Sequence, residues 1–206
     1  MKLIKKYFPG ITSGQEQQFR ILCEELADWN QKINVISRKD TDNLEERHIL
    51  HSLAIARFMP FRPGTAVIDV GTGGGFPGLP LAIMFPECRF TLVDSIARKI
   101  RVVEELVAAT GLQNVVCRQA RAETITDHFD FVVSRAVTAF PKFYRWTKNL
   151  VTETSQHDLP NGIIYLKGGD LGQELAGFGD RIRIVPVKNF FDESWFEEKK
   201  IVYLKI

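Results

Sequence analysis

The chain is poor in the features that mark secreted, membrane and metal-binding proteins. Only three cysteines, Cys23, Cys88 and Cys117, occur in 206 residues. That odd, scattered set makes neither a disulfide framework nor a zinc pattern, and a reducing cytoplasm is the expected location. No apolar run approaches the roughly 18 residues of a membrane span. The basic start MKLIKKYFPG lacks the apolar stretch of about 7–15 residues that a secretory signal needs. No Gly-x-x-x-x-Gly-Lys-Ser/Thr loop is present, which excludes Walker-type phosphate transfer. Excess charge is also missing: 27 basic residues against 25 acidic ones leave a net +2. The pI near 8.4 falls below the value of about 9 that flags a nucleic-acid domain by composition.

What is there is a globular composition with chain enough for one domain and its own core. Residues 1–62 read as a helical extension and residues 63–206 as an α/β core, together one compact unit expected to be a monomer. Ser13-Gly14-Gln15-Glu16 has the form of a capping box. Phe19, Leu22, Cys23, Leu26 and Trp29 then recur at helical spacing. A second helix is predicted from about Asp42 to Met59, before Pro60 and Pro63-Gly64 break the pattern. From Thr65 on, short apolar runs alternate with helical ones. Strands are predicted at Ala66–Val70, Arg89–Val93, Asn114–Arg118, Phe129–Val133 and Ile163–Leu166. Helices are predicted at Gly78–Phe85, Ala97–Thr110, Pro141–Val151 and Leu171–Phe178. Such alternation gives right-handed crossovers and a mostly parallel, Rossmann-like sheet. Two further strands near Arg181–Pro186 and Lys200–Lys205 read as an antiparallel hairpin on it.

Chemistry concentrates in Asp69-Val70-Gly71-Thr72-Gly73-Gly74-Gly75-Phe76-Pro77-Gly78. Glycines between a strand and a helix let backbone approach a ligand and aim helix N-terminal amides at it. Asp94 ends the next strand, where an acid accepts hydrogen bonds from ribose hydroxyls. Glu123 follows the third strand, within reach of an adenine amino group. A dinucleotide fingerprint also fits Gly73–Gly78, so a nicotinamide oxidoreductase is one reading. Three acids, Asp69, Asp94 and Glu123, suit the cationic sulfonium and ammonium of S-adenosylmethionine better than a pyrophosphate. Each such contact is worth about 3–4 kcal/mol at an effective dielectric of about 20.

The acceptor narrows by absence. Ser134-Arg135-Ala136 stands where exocyclic adenine methylation uses Pro-Pro-aromatic. No cysteine lies there for cytosine carbon-5 chemistry, and no Asp near Ser134 for ribose methylation. A ring nitrogen with a free lone pair, such as guanine N7, needs no base, so no proton-transferring catalytic residue is expected. A small-molecule acceptor remains the competing methyltransferase reading. Between Phe131 and Thr152 lie Arg135, Lys142, Arg145 and Lys148 with no acid, interleaved with Phe140, Phe143, Tyr144 and Trp146. With Arg98 and Lys99 these cations are expected to guide an RNA backbone. Asn30, Lys32, Asn34 and Arg38 read equally as an RNA-facing loop or as the capped, solvated end of the first helix. His48 and His51 read as structural rather than metal-binding, and Trp195 and Phe196 as core.

These residues carry a resemblance. Trp29-Asn30 with Asn34, Arg47-His48-Ile49-Leu50 with Ser52-Leu53, Asp69–Gly78, Leu92-Val93-Asp94-Ser95, Arg121-Ala122-Glu123, Val133-Ser134-Arg135-Ala136 and Lys167-Gly168 resemble the bacterial 16S ribosomal RNA guanine-N7 methyltransferases, also known as glucose-inhibited division protein B. The resemblance spans nearly the whole chain. It implies a class I methyltransferase fold with a helical N-terminal extension. It also implies S-adenosylmethionine as donor and one loop guanine of 16S ribosomal RNA as acceptor, offered as naked RNA, precursor particle or small subunit. Gly71, Phe76, Ala122, Glu123 and Arg135 match the family's cofactor positions, and Asp94 matches by position and chemistry. Gly73 and Gly75 complete the expected cofactor set with Asp69. For Arg135, contact with the cofactor carboxylate, contact with guanine O6, and bracing of its own turn all stay open. Two positions depart from the family: His51 stands where Asp is usual, and Arg98-Lys99 where Lys-Arg is usual.

Overall fold

The structure, a computed structural model, describes residues 1–206 apart from the side chains of residues 38–40; the Arg38 side chain therefore lies outside the described residues. Three helices build the N-terminal extension: α1 (Lys2–Tyr7), α2 (Ser13–Lys32) and α3 (His51–Phe58). The capping box is present, shifted by one residue from its expected place. Thr12, not Ser13, caps α2: its hydroxyl accepts from the Gln15 amide, and the Gln15 side chain accepts from the Thr12 amide. Both residues carry a hydroxyl, and Gln fills the third position as well as Glu does. The single helix expected from Asp42 to Met59 is three pieces. A 3-10 turn (Arg38–Asn43) and a π-helical turn (Glu45–Leu50) precede α3.

The core is one seven-stranded sheet of order β3-β2-β1-β4-β5-β7-β6. It comprises β1 (Ala66–Val70), β2 (Arg89–Asp94), β3 (Val115–Gln119), β4 (Phe131–Arg135), β5 (Gly162–Gly168), β6 (Ile182–Pro186) and β7 (Lys199–Lys205). The first five run parallel. The terminal pair is antiparallel, with β7 slotted between β5 and β6. Four helices cross over: α4 (Gly78–Met84), α5 (Ala97–Thr110), α6 (Phe140–Thr147) and α7 (Gly172–Leu175).

Strand alternation sorts β1 between two apolar layers. Val67 joins the layer shared with α4, α5 and the extension. Ile68 and Val70 join the layer under α6 and α7. Ile4, Phe19, Leu22, Leu26, Ile49 and Leu53 of the extension are fully buried in the first layer. The extension is thus a face of the core. Among the described residues, no helix is long and apolar enough to cross a membrane.

Candidate active site

A cavity of about 460 Å³ opens at the carboxyl ends of β1, β2 and β4, where β1 has neighbours wound in opposite directions and open α/β sheets bind ligands. Its size is within the range of small-molecule sites. Gly71, Gly73, Phe76, Asp94, Ala122, Glu123 and Arg135 all line it, as the sequence reading expects. Asp94 does double duty. Its Oδ2 accepts from the Gly73 amide at 3.1 Å and its Oδ1 from the Ile96 amide at 2.9 Å, which pins the glycine loop to the end of β2.

Two expected cofactor residues do not line the cavity. Asp69 lies on the α4 face of β1, like Val67, because strand alternation puts residues two apart on the same face of the sheet. Its Oδ2 accepts from the Thr72 hydroxyl at 2.7 Å and the Gly78 amide at 2.8 Å, tying the loop to the start of α4. Gly75 is absent from the lining too. At φ +93° a Cβ there would strike the Leu79 side chain, so this glycine lets the loop close onto α4. The expected ring of three acids is therefore two, and Lys99, Arg121 and Arg135 stand among them. Lys99 is expected, with Arg98, among the cations that guide an RNA backbone beside the cavity. Its ammonium instead lies 3.8 Å from Asp94 at the cavity, while Arg98 is exposed.

Burial pushes the Asp69 carboxyl up to about 7, against the pull of the Thr72 and Gly78 hydrogen bonds. Its second oxygen is buried without a hydrogen-bond partner. A carboxyl raised from 3.8 in the unfolded chain binds more protons when folded, so its contribution to stability falls as pH rises from about 4 to 7. The full span is on the order of 4 kcal/mol. Asp69→Asn accepts the same two bonds without a charge. Urea unfolding at pH 5 and pH 8 is expected to show a smaller loss of stability with rising pH in Asp69→Asn than in the wild type.

The extension supplies a wall that sequence reasoning missed. Val35, Ile36 and Ser37 line the cavity, and Val35 and Ile36 pack at 3.4 Å from where a Cβ on Gly74 would be. Asn30, 4% exposed, holds this loop: its Oδ1 accepts the amides of Val35 and Ile36 at 2.9 and 3.0 Å. That is a structural role rather than an RNA contact. A single buried amide in a helical run leaves no periodic signal that would have revealed it.

On the opposite rim, Ala136 adopts φ +52°, a left-handed conformation costly for a residue with a Cβ. The turn is held by the Tyr165 phenol, which accepts from the Val137 and Thr138 amides and donates to the Thr138 carbonyl. Lys142, Arg145 and Lys148 are exposed on α6 and the turn after it. Lys142 lies over the Trp146 ring at 5.1 Å, and Trp146 lines the cavity. His51 is buried edge-on to Trp195, with centroids 5.1 Å apart. Neither ring nitrogen has a hydrogen-bond partner, and burial holds its pKa well below the usual histidine range. A neutral ring packed on Trp195 and Phe196 replaces any ion pair at that position. Phe196 is fully buried and Trp195 packs against the core.

A glycine loop braced by an acid at the next strand, in a sheet of this order, defines a class I methyltransferase fold. An S-adenosylmethionine-dependent methyltransferase from Aquifex aeolicus superimposes with a TM-score of 0.58 at 18% identity, covering 82% of this chain and 98% of that one. Fibrillarin from Aeropyrum pernix, solved with natively bound S-adenosylmethionine, gives 0.54 at 13% identity over 74% and 73%. The family model for rRNA small subunit methyltransferase G matches residues 15–191, and the chain belongs to that family. Relatives named ribosomal RNA small subunit methyltransferase G are 53% identical in Flavobacterium johnsoniae, over 100% of this chain and 98% of the relative. In Bacteroides thetaiotaomicron the figure is 52%, over the full length of both.

Proposed function

We propose that this chain transfers the methyl group of S-adenosylmethionine to N7 of one loop guanine in 16S ribosomal RNA. Family membership carries the donor and the methylation of small-subunit ribosomal RNA. It also weighs against both the nicotinamide oxidoreductase and the small-molecule methyltransferase. The acceptor atom is what the resemblance to the guanine-N7 methyltransferases implies, and the absence, at Ser134-Arg135-Ala136, of the groups several other acceptors need agrees with it.

The residues present fit the donor. Gly71, Gly73, Phe76, Asp94, Ala122 and Glu123 all line the cavity; Asp94 would accept from ribose hydroxyls and Glu123 from an adenine amino group. When bound, S-adenosylmethionine supplies an electrophilic methyl on a sulfonium: the N7 lone pair forms the new C–N bond, the C–S bond breaks, and the positive charge passes to the base. No proton moves at N7, so the protein's work is positioning, which can supply roughly 7–11 kcal/mol of the barrier. N7 of a paired guanine faces the deep, narrow groove of A-form RNA, so the target must be in a loop or flipped out.

Borohydride reduction and aniline scission cleave RNA at N7-methylguanosine. RNA treated with enzyme and donor should be cut at one guanine, whereas methylated but uncut RNA would move the acceptor to another atom. The exposed cations of α6 lie beside the cavity and are proposed to contact the RNA backbone. The Lys142→Ala, Arg145→Ala double variant should then lower the slope of log affinity against log salt by about 0.7–0.9 per lost contact. An unchanged slope in filter binding would leave that strip as plain surface.

A further inference from the structure

Arg135 reaches the cavity from the end of β4, yet its guanidinium is seated on the N-terminal extension. It donates to the Arg47 carbonyl at 3.2 Å and to Nδ1 of His48 at 2.7 Å. Both acceptors belong to the π-helical turn Glu45–Leu50. In that widened turn the His51 amide bonds to the carbonyl of Glu46, five residues back. In an α-helix the same amide would claim the carbonyl of Arg47, so the π-turn is what offers that oxygen to Arg135. The Phe76 ring completes the seat, lying 5.1 Å from the Arg135 guanidinium and 5.1 Å from the His48 ring. Three segments meet there: the extension, the glycine loop and the end of β4. His48, Phe76 and Arg135 all line the cavity.

We infer that His48 is a positioning residue for methyl transfer, holding Arg135 in the orientation from which it faces the reacting groups. This rests on the methyltransferase reading of the cavity. The chemistry fixes the state of the ring. A guanidinium only donates, so Nδ1 of His48 must carry the lone pair, and the neutral ring carries its proton on Nε2. The π-turn is thereby part of the active-site architecture, because straightening it into an α-helix would withdraw one acceptor and shift the other.

The test has two arms. Nitrogen-15 NMR of the free protein at neutral pH should find His48 with Nδ1 unprotonated and Nε2 protonated. An Nδ1–H tautomer would overturn the inference whatever the enzyme does. In the second arm, methyl transfer to small-subunit RNA is compared among wild type, His48→Phe and His48→Asn. The first variant keeps a ring without an acceptor, and the second keeps an acceptor oxygen near the place of Nδ1. His48→Phe should lose at least about tenfold in kcat, and His48→Asn should recover to within about threefold of wild type, since misplacing a group by an ångström costs far more than a lost surface contact. Equal rates for wild type and His48→Phe, or equal defects in both variants, would contradict it. Wild-type protein that transfers no methyl would instead count against the function, with the NMR arm still deciding the seat.

Discussion

Gly73→Asp is expected to abolish donor binding while leaving the fold intact. Gly73 sits at φ +59°, and a Cβ there would meet only the Val35 carbonyl at 3.9 Å. The side chain therefore has room, and Asp is among the few residues that visit this conformation readily. It would project into the cavity beside Asp94, whose Oδ2 is held by the Gly73 amide itself. The added atoms occupy space the ligand needs. Calorimetric titration with S-adenosylhomocysteine should show affinity down by at least about 100-fold, or about 2.7 kcal/mol. The melting temperature should stay within a few degrees. Unchanged affinity would mean that this loop does not hold the donor.

The second large effect concerns the extension. A fragment of residues 63–206 is expected not to fold. α2 lies against α4 and α5, and α3 against α4. Phe19, Leu22, Leu26 and Leu53 are fully buried in the same apolar layer as Leu79, Leu106 and Phe90. Burying each such side chain stabilises by about 1.5–3 kcal/mol. Losing several of them approaches the whole net stability of a domain, about 5–15 kcal/mol. The fragment would also lose the Val35–Ser37 wall and the His48 seat of the cavity. Circular dichroism and proton NMR should show an unstructured or collapsed chain. A cooperative melt of the fragment would establish the extension as a separable appendage.

Ala66–Val70 and Ala97–Thr110 match their expected ranges residue for residue. Each is a strong apolar pattern bounded by turn residues, and Gly111 ends α5 in the left-handed conformation. β4 begins at Phe131 rather than Phe129, because Phe129 makes only an isolated bridge to Val151. α6 stops at Thr147 and gives way to a 3-10 turn, although the apolar pattern runs on to Val151. The π-turn has no local signature in the sequence, and its Arg47 carbonyl and His48 ring meet Arg135 from a distant part of the chain.

The site divides the same way. Asp94 and Glu123, after β2 and β3, are legible from position, whereas Ala122 and Arg135 enter through the family resemblance. Asp69 is expected at the cavity because its charge suits a cationic donor, while its side chain turns to α4, as the alternation of β1 dictates. Lys99 shows the reverse. Its place among the RNA-guiding cations gives no sign that the first turn of α5 brings its ammonium within 3.8 Å of Asp94. Contacts made by the extension, through Asn30, Val35 and His48, depend on tertiary packing that no spacing encodes.

The most direct measurement is transfer of labelled methyl from S-adenosylmethionine to small-subunit ribosomal RNA from cells lacking the protein, mapped by nucleotide. The RNA is offered both naked and as assembled subunits, with Gly73→Asp as control. Label at a single loop guanine, lost with the variant, is the predicted result, and the better substrate form would place the step in ribosome assembly. Absence of label from both forms, in protein that binds S-adenosylhomocysteine, would contradict the assignment of ribosomal RNA as acceptor.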